Sequence, residues 1–128
     1  HVQVFEPLAA VSVVAESSNQ VNDPAKRDRI VELIMRVNKT LTIGNFELDW
    51  DTGQIMFRAT NLFATHQGES TIIQGLVHNA VGEMDRIAPM ESIVLSAEGA
   101  ELAGLNIEDL LQRQDLLPEI PTSESDHQ

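Results

Sequence analysis

Glu47, Asp49 and Asp51 stand at alternate positions in Phe46-Glu47-Leu48-Asp49-Trp50-Asp51. In an extended strand that spacing puts three carboxylates on one side of the backbone, where they could share a divalent cation or a proton. This is the chemistry of a metal- or acid/base-dependent hydrolase. The competing reading is plainer. Carboxylates alternating with Phe46, Leu48 and Trp50 are the pattern of a solvated sheet face, and Asp51-Thr52-Gly53 lacks the further ligand positions of a calcium loop.

The four histidines, His1, His66, His78 and His127, are scattered, with no two at the three-to-five spacing that a helical or zinc-knuckle pair requires. His78 is expected on the polar side of a helix, solvated. The chain has no cysteine, which removes disulfides, thiolate zinc sites and cysteine nucleophiles together. There is no Gly-x-Ser-x-Gly elbow, phosphate-cradling glycine loop or dinucleotide fingerprint. Asn38-Lys39-Thr40 matches a glycosylation sequon in form only, at the end of a helix. No catalytic residue, cofactor or metal is expected.

One further pattern concerns binding. Gly75 and Gly82 are seven apart in a helical stretch, so they stack on nearly one line of its surface, opposite the apolar arc, with His78 between them. Each glycine costs roughly 1 kcal/mol relative to alanine in a helix interior. Tolerated drift would explain them; so would a second backbone, from a partner subunit or the C-terminal segment, approaching a stripe of small residues. Gly75, His78 and Gly82 are therefore the expected interaction surface.

The elements that would position these residues follow from hydrophobic periodicity. Val2 and Val4, then Val11 and Val13, alternate either side of Pro7 and predict two short strands joined by a turn. Glu16-Ser17-Ser18-Asn19-Gln20 is expected to end the second strand. Asp23-Pro24 is a helix start, because the carboxylate can accept from free N–H groups and proline at the first position gives up an N–H that had no partner. Ile30, Leu33, Ile34, Val37 and Leu41 carry that helix to about Thr40, with Lys26, Arg29, Glu32, Arg36 and Lys39 mainly on its other side.

Phe46, Leu48 and Trp50, then Asp51-Thr52-Gly53, then Ile55, Phe57 and Ala59 predict a β-hairpin. With Thr52-Gly53 as a two-residue connection, Trp50 faces Ile55, Leu48 faces Phe57 and Phe46 faces Ala59, all on one side. A three-residue loop would lose that match unless a bulge restored it. After a loop around His66-Gln67-Gly68, Ile72, Ile73, Leu76, Val77, Ala80, Val81, Met84 and Ile87 trace a second amphipathic helix ending before Pro89. A shorter helical stretch from Met90 to about Ala97 follows, then another from Asn106 as N-cap through Gln114. The core expected from these elements is Phe46, Leu48, Trp50, Ile55, Phe57, Ile34, Val37, Ile72, Leu76 and Ala80.

Composition sets the frame. The 128 residues suit one domain, and no apolar run approaches the roughly 20 residues of a membrane span. A formal net charge of −12 repels phosphate backbones and anionic lipid, so neither nucleic acid nor membrane is an expected partner. The scattered acids are read as a solubility feature of a cytoplasmic protein. The chain opens at His1 without a signal-type segment and reads as part of a longer one.

A helix ending in Val37-Asn38-Lys39-Thr40, then Gly44-Asn45-Phe46-Glu47-Leu48-Asp49, then Asp51-Thr52-Gly53-Gln54-Ile55-Met56-Phe57-Arg58, then a long helix, form a succession that resembles the bacterial YbjN-like family, in a cyanobacterial form. The resemblance covers roughly residues 1 to 95. It implies a fold similar to that of type III secretion chaperones: α+β in two layers, an antiparallel sheet with helices packed on it. It also implies a non-enzymatic interaction or regulatory role in sensory transduction or stress, with a protein partner or a homodimer. The family's N-terminal helix and first strand have no counterpart here. The expected organisation is an α+β domain over 1–97, a helical extension over 98–117 and a polar, proline-containing tail over 118–128.

Overall fold

Two hairpins and two long amphipathic helices make up most of the chain in a computed structural model, which describes residues 1–6, 9–63 and 70–113. The strands are β1 (Val2–Phe5), β2 (Ala10–Gln20), β3 (Asn45–Leu48) and β4 (Gln54–Leu62); the helices are α1 (Pro24–Asn38), α2 (Ser70–Ser96), α3 (Gly99–Ala103) and α4 (Ile107–Leu111). The strands form one antiparallel sheet in the order β1-β2-β4-β3, with the helices packed against it. This is the expected α+β class. Pro7, the 66–68 loop, Gln114 and the 118–128 tail lie outside the described residues.

Val11, Val13, Phe46, Phe57 and Ala59 meet on the helix-facing side of the sheet, where Phe46 and Phe57 pack edge to face at 5.0 Å. Fully burying side chains of this kind contributes about 1.5–3 kcal/mol each. Of the expected core, Phe46, Ile55, Phe57, Ile34, Leu76 and Ala80 are buried, while Leu48, Val37 and Ile72 pack partly buried against them. Leu102, Ile107 and Leu110 of the C-terminal helices join the same cluster.

Four expectations are corrected. The second hairpin pairs Leu48 with Ile55 and Phe46 with Phe57, two residues away from the expected register. Because side chains alternate with period two, this slip keeps both apolar sets on the expected face. The connection is four residues long, 50–53, and ends in Gly53 at φ 76°, a backbone conformation that favours glycine. A Cβ there would run into the Val21 carbonyl, against which the turn is docked.

The longer connection carries Trp50 out of the sheet, which is the second correction. Trp50 is 57 % exposed, and the Arg27 guanidinium lies over its ring at 4.0 Å. Third, β2 does not stop at Glu16. Its pairing with β4 shifts register between Glu16 and Gln20, and the polar side chains that signalled a turn are bound from above: Glu91 Oε1 accepts from the Ser17 hydroxyl at 2.6 Å and from Asn19 Nδ2 at 3.0 Å. Fourth, α2 runs through Pro89 to Ser96 as one helix, although Pro89 cannot donate to the carbonyl four residues earlier. Tertiary burial on both sides of the proline, by Ile87, Met90, Glu91 and Val94, holds the helix together.

Capping follows the sequence closely. Asp23 accepts from the Ala25 N–H at 2.9 Å, and Asn106 from the Asp109 N–H at 3.0 Å. The basic face of α1 is put to use against the C-terminal region. Lys26 Nζ donates to the Leu95 carbonyl at the end of α2 and pairs with Glu98, and Arg29 donates to the Ala103 carbonyl at the end of α3. Cations at helix C-termini satisfy orphan carbonyls and complement the dipole.

Candidate interaction surface

An antiparallel sheet of this order leaves two outer edges, and the chain treats them differently. At the β3 edge the Asn38 side chain reaches from the end of α1 and brackets Phe46: Phe46 N–H donates to Asn38 Oδ1 at 2.7 Å, and Asn38 Nδ2 donates to the Phe46 carbonyl at 3.0 Å. Both outward backbone groups of that residue are thereby used, and α1 lies alongside the strand.

The β1 edge has no such cover among the described residues. His1 and Val14 exchange both backbone hydrogen bonds, each at 2.7 Å, and antiparallel alternation then turns the N–H and C=O groups of Val2 and Val4 away from β2. No described residue pairs with them. Every residue of β1 is exposed, and none carries a charge or is a proline, the usual protections of an edge. Opposite Val13 and Val11, on the helix-facing side, Val2 and Val4 remain 50 % and 65 % exposed.

The same region explains a departure on α2. Val77 and Val81, expected within its apolar arc, are 36 % and 51 % exposed. Both belong to the flank of α2 that faces β1 and β2, where a shallow groove is lined by Val2, Val13, Val77, Ala80 and Val81. Among the described residues α2 packs mainly on β2 and β4, and less on the outermost strand β1. β1 and this flank form a mainly apolar strip, with His1 and Glu16 at the rim of the groove.

Gly75, His78 and Gly82 lie elsewhere. At 100° per residue the two glycines fall on the opposite flank of α2 from Val77 and Val81. A Cβ at either glycine would meet nothing within 4 Å, so no described backbone approaches the stripe. His78 is exposed, as expected. His1 lies 3.6 Å from Glu16 at the surface, and His66 and His127 lie outside the described residues.

The acidic hairpin face is internally occupied. Glu47 forms a two-pronged pair with Arg58 at 2.9 and 3.3 Å, across the sheet face away from the helices. Asp49 Oδ1 accepts from the Asp51 and Thr52 N–H groups at 3.0 and 3.1 Å and so shapes the turn. Asp51 is exposed in that turn. The three carboxylates do not converge, and among the described residues no cluster of three or more histidine or acidic side chains could hold a metal ion.

A separate cavity of about 300 Å³ opens between α1, α2 and α4, with Phe46, Ile87 and Met90 as its apolar floor and Arg36 and Arg86 at its sides. Both arginines are already paired, Arg36 with Glu32 and Arg86 with Glu83. Among the described residues no helix is long and apolar enough to cross a membrane. The open edge was not singled out from sequence, although its signal was present: a Val-x-Val strand without charge at the start of an acidic chain. Comparison with protein-family models, curated proteins and solved structures yields no match.

Proposed function

We propose that this chain is a non-enzymatic protein-interaction or regulatory module of the cytoplasm, of the kind implied by its resemblance to the YbjN-like family, whose partner is another protein or a second copy of itself. One observation carries the reading. Asn38 and α1 cover the β3 edge at Phe46, whereas among the described residues nothing pairs with the outward backbone of Val2 and Val4, next to exposed valines of α2. An extended segment added to an open edge gains main-chain hydrogen bonds, while the flanking apolar strip receives its side chains. Engagement of Glu47 by Arg58 and of Asp49 by its own turn counts against a hydrolytic use of the hairpin. The net charge of −12 counts against nucleic acid.

The test is affinity capture from the cell's own lysate with the parent chain and with Val4→Lys, read by native mass spectrometry. A complex of fixed stoichiometry that the parent forms and Val4→Lys loses is the expected result. Bare monomer from both, across salt concentrations, would remove the reading.

A further inference from the structure

We infer that α1 and the turn of the second hairpin form a separate docking site, in which Arg27 takes one carboxylate of a partner protein's acidic–apolar segment and Trp50, Val31 and Met35 take the apolar residues beside it. The site lies at the β3 end of the sheet, opposite β1, and stands without the edge described above. Its starting point is a cation without an anion. Lys26, Arg29, Arg36, Arg58 and Arg86 each pair with a carboxylate. Arg27 has no ion pair and no side-chain hydrogen bond among the described residues, although the chain carries 20 acidic residues. What holds it is Trp50: the guanidinium carbon lies 4.0 Å from the centre of its ring.

The guanidinium can be reached from one end. Its Nε is the only buried side-chain nitrogen or oxygen without a partner among the described residues. Nη1 and Nη2 have no partner either, and they are not buried. These two nitrogens offer a carboxylate two parallel N–H donors, and the contact with Trp50 already fixes the side chain that carries them. The surrounding acids define the occupant further. Asp23 accepts from the Ala25 N–H and Asp49 from its own turn, while Asp28 and Asp51 are exposed and do not pair with Arg27. They repel a second acid, so the segment that fits carries a single carboxylate among uncharged residues.

The apolar part of the site follows from the course of α1. The helix runs from Arg27 at Trp50 to Asn38 at Phe46, so the flank between these contacts borders the hairpin. Val31 and Met35 follow Arg27 at steps of about 40° and extend the strip by about 12 Å along the helix. Val31 is half-buried, whereas Trp50 and Met35 are 57 % and 62 % exposed. Side chains this open do not enclose a small molecule, which a site must bury over most of its surface. Tryptophan, arginine and methionine side by side have instead the composition of a protein–protein anchor.

Trp50 is the only tryptophan, so its emission reports on the site. Random peptides displayed on phage are panned against the full chain, with Arg27→Gln as the counter-selection. Enriched peptides are expected to carry one Asp or Glu next to an aliphatic or aromatic residue, and the best of them, synthesised, should shift Trp50 emission to shorter wavelength. Replacing its acid by the amide should weaken binding about ten-fold or more, as should Arg27→Gln, and the two changes together should cost little more than either alone. Arg27→Lys, which keeps the charge without the fork, should fall between. Met35→Asp on the exposed flank should weaken binding, and Gln112→Asp, an exposed control at the end of α4, should leave it unchanged.

Failure of any peptide to enrich over the counter-selection overturns the inference. So do enriched peptides without an acid, or binding indifferent to both Arg27→Lys and Met35→Asp. Trp50 emission that shifts with protein concentration alone assigns the site to a second copy, and phenylacetate binding as tightly as the peptide assigns it to a small acid; either result refutes the partner segment.

Discussion

Truncating Glu91 to alanine should release the polar end of β2 from α2. Glu91 is 2 % exposed, and its Oε1 accepts from both the Ser17 hydroxyl and Asn19 Nδ2. Hydrogen bonds to a charged acceptor contribute about 1.5–3 kcal/mol each, but Asn19 is exposed and water can replace part of its bond. Removing the carboxylate also removes its own desolvation penalty, which offsets part of the loss. The expected net destabilisation is about 2 kcal/mol for Glu91→Ala and about 1 kcal/mol for Glu91→Gln, which keeps an oxygen acceptor without the charge. Urea unfolding reads both: with a slope of about 1.5 kcal/mol/M, the alanine variant should lose roughly 1.3 M in its midpoint. Hydrogen exchange localises the effect, since amides 17–20 should lose protection before the rest of β2. An alanine midpoint within about 0.2 M of the parent, or equal shifts for alanine and glutamine, would refute the assignment of Glu91 as the anchor of this segment.

Three further outcomes follow from the same geometry. Asn38→Ala removes both bonds to Phe46 and should cost about 1–3 kcal/mol, while Asn38→Asp, which keeps the acceptor but not the donor, should lose less; equal losses would show that the bracket is not what closes the β3 edge. Gly53→Ala combines a positive φ with a clash on the Val21 carbonyl and should cost more than about 2 kcal/mol, read as a thermal midpoint, whereas Gly75→Ala, facing open space in a helix, should gain up to about 1 kcal/mol. Pro89→Ala restores a backbone donor inside α2 and should stabilise by about 1–2 kcal/mol in urea unfolding; a loss instead would mean that the proline itself is needed to hold Glu91 against β2.

The strands around Val4, Val13 and Phe57, the start of α1 and the α+β class were legible because each rests on local rules. Period-two alternation marks a strand wherever it is half-buried, and Asp23-Pro24 caps a helix by contacts within its own first turn. Asn106 worked for the same reason. The face of the second hairpin was legible too, since a slip of two residues leaves every side chain on its original side. The register itself was not. It depends on Gly53 docking against Val21, a residue over thirty positions earlier, and Trp50 was lost from the core when that contact lengthened the connection.

The remaining misreadings have a common origin in partners distant along the chain. Ser17, Ser18 and Asn19 have the composition of a turn, and only the arrival of Glu91 from α2 turns Ser17 and Asn19 into anchors of the strand's continuation. Pro89 ends a helix by local rules and fails to do so because the residues on both sides are buried against the sheet. Val77 and Val81 sit on an apolar arc by periodicity, yet α2 is placed over β2 and β4, so that part of the arc faces outward beside β1. The sequence by itself determined the kinds of element, the sidedness of each and the absence of charge along β1, because those are properties of residues and their near neighbours. Tertiary structure alone decided that Asn38 brackets the β3 edge at Phe46 and that, among the described residues, nothing pairs with the outer side of β1 at Val2 and Val4, because an edge exists only once every strand has found its neighbour.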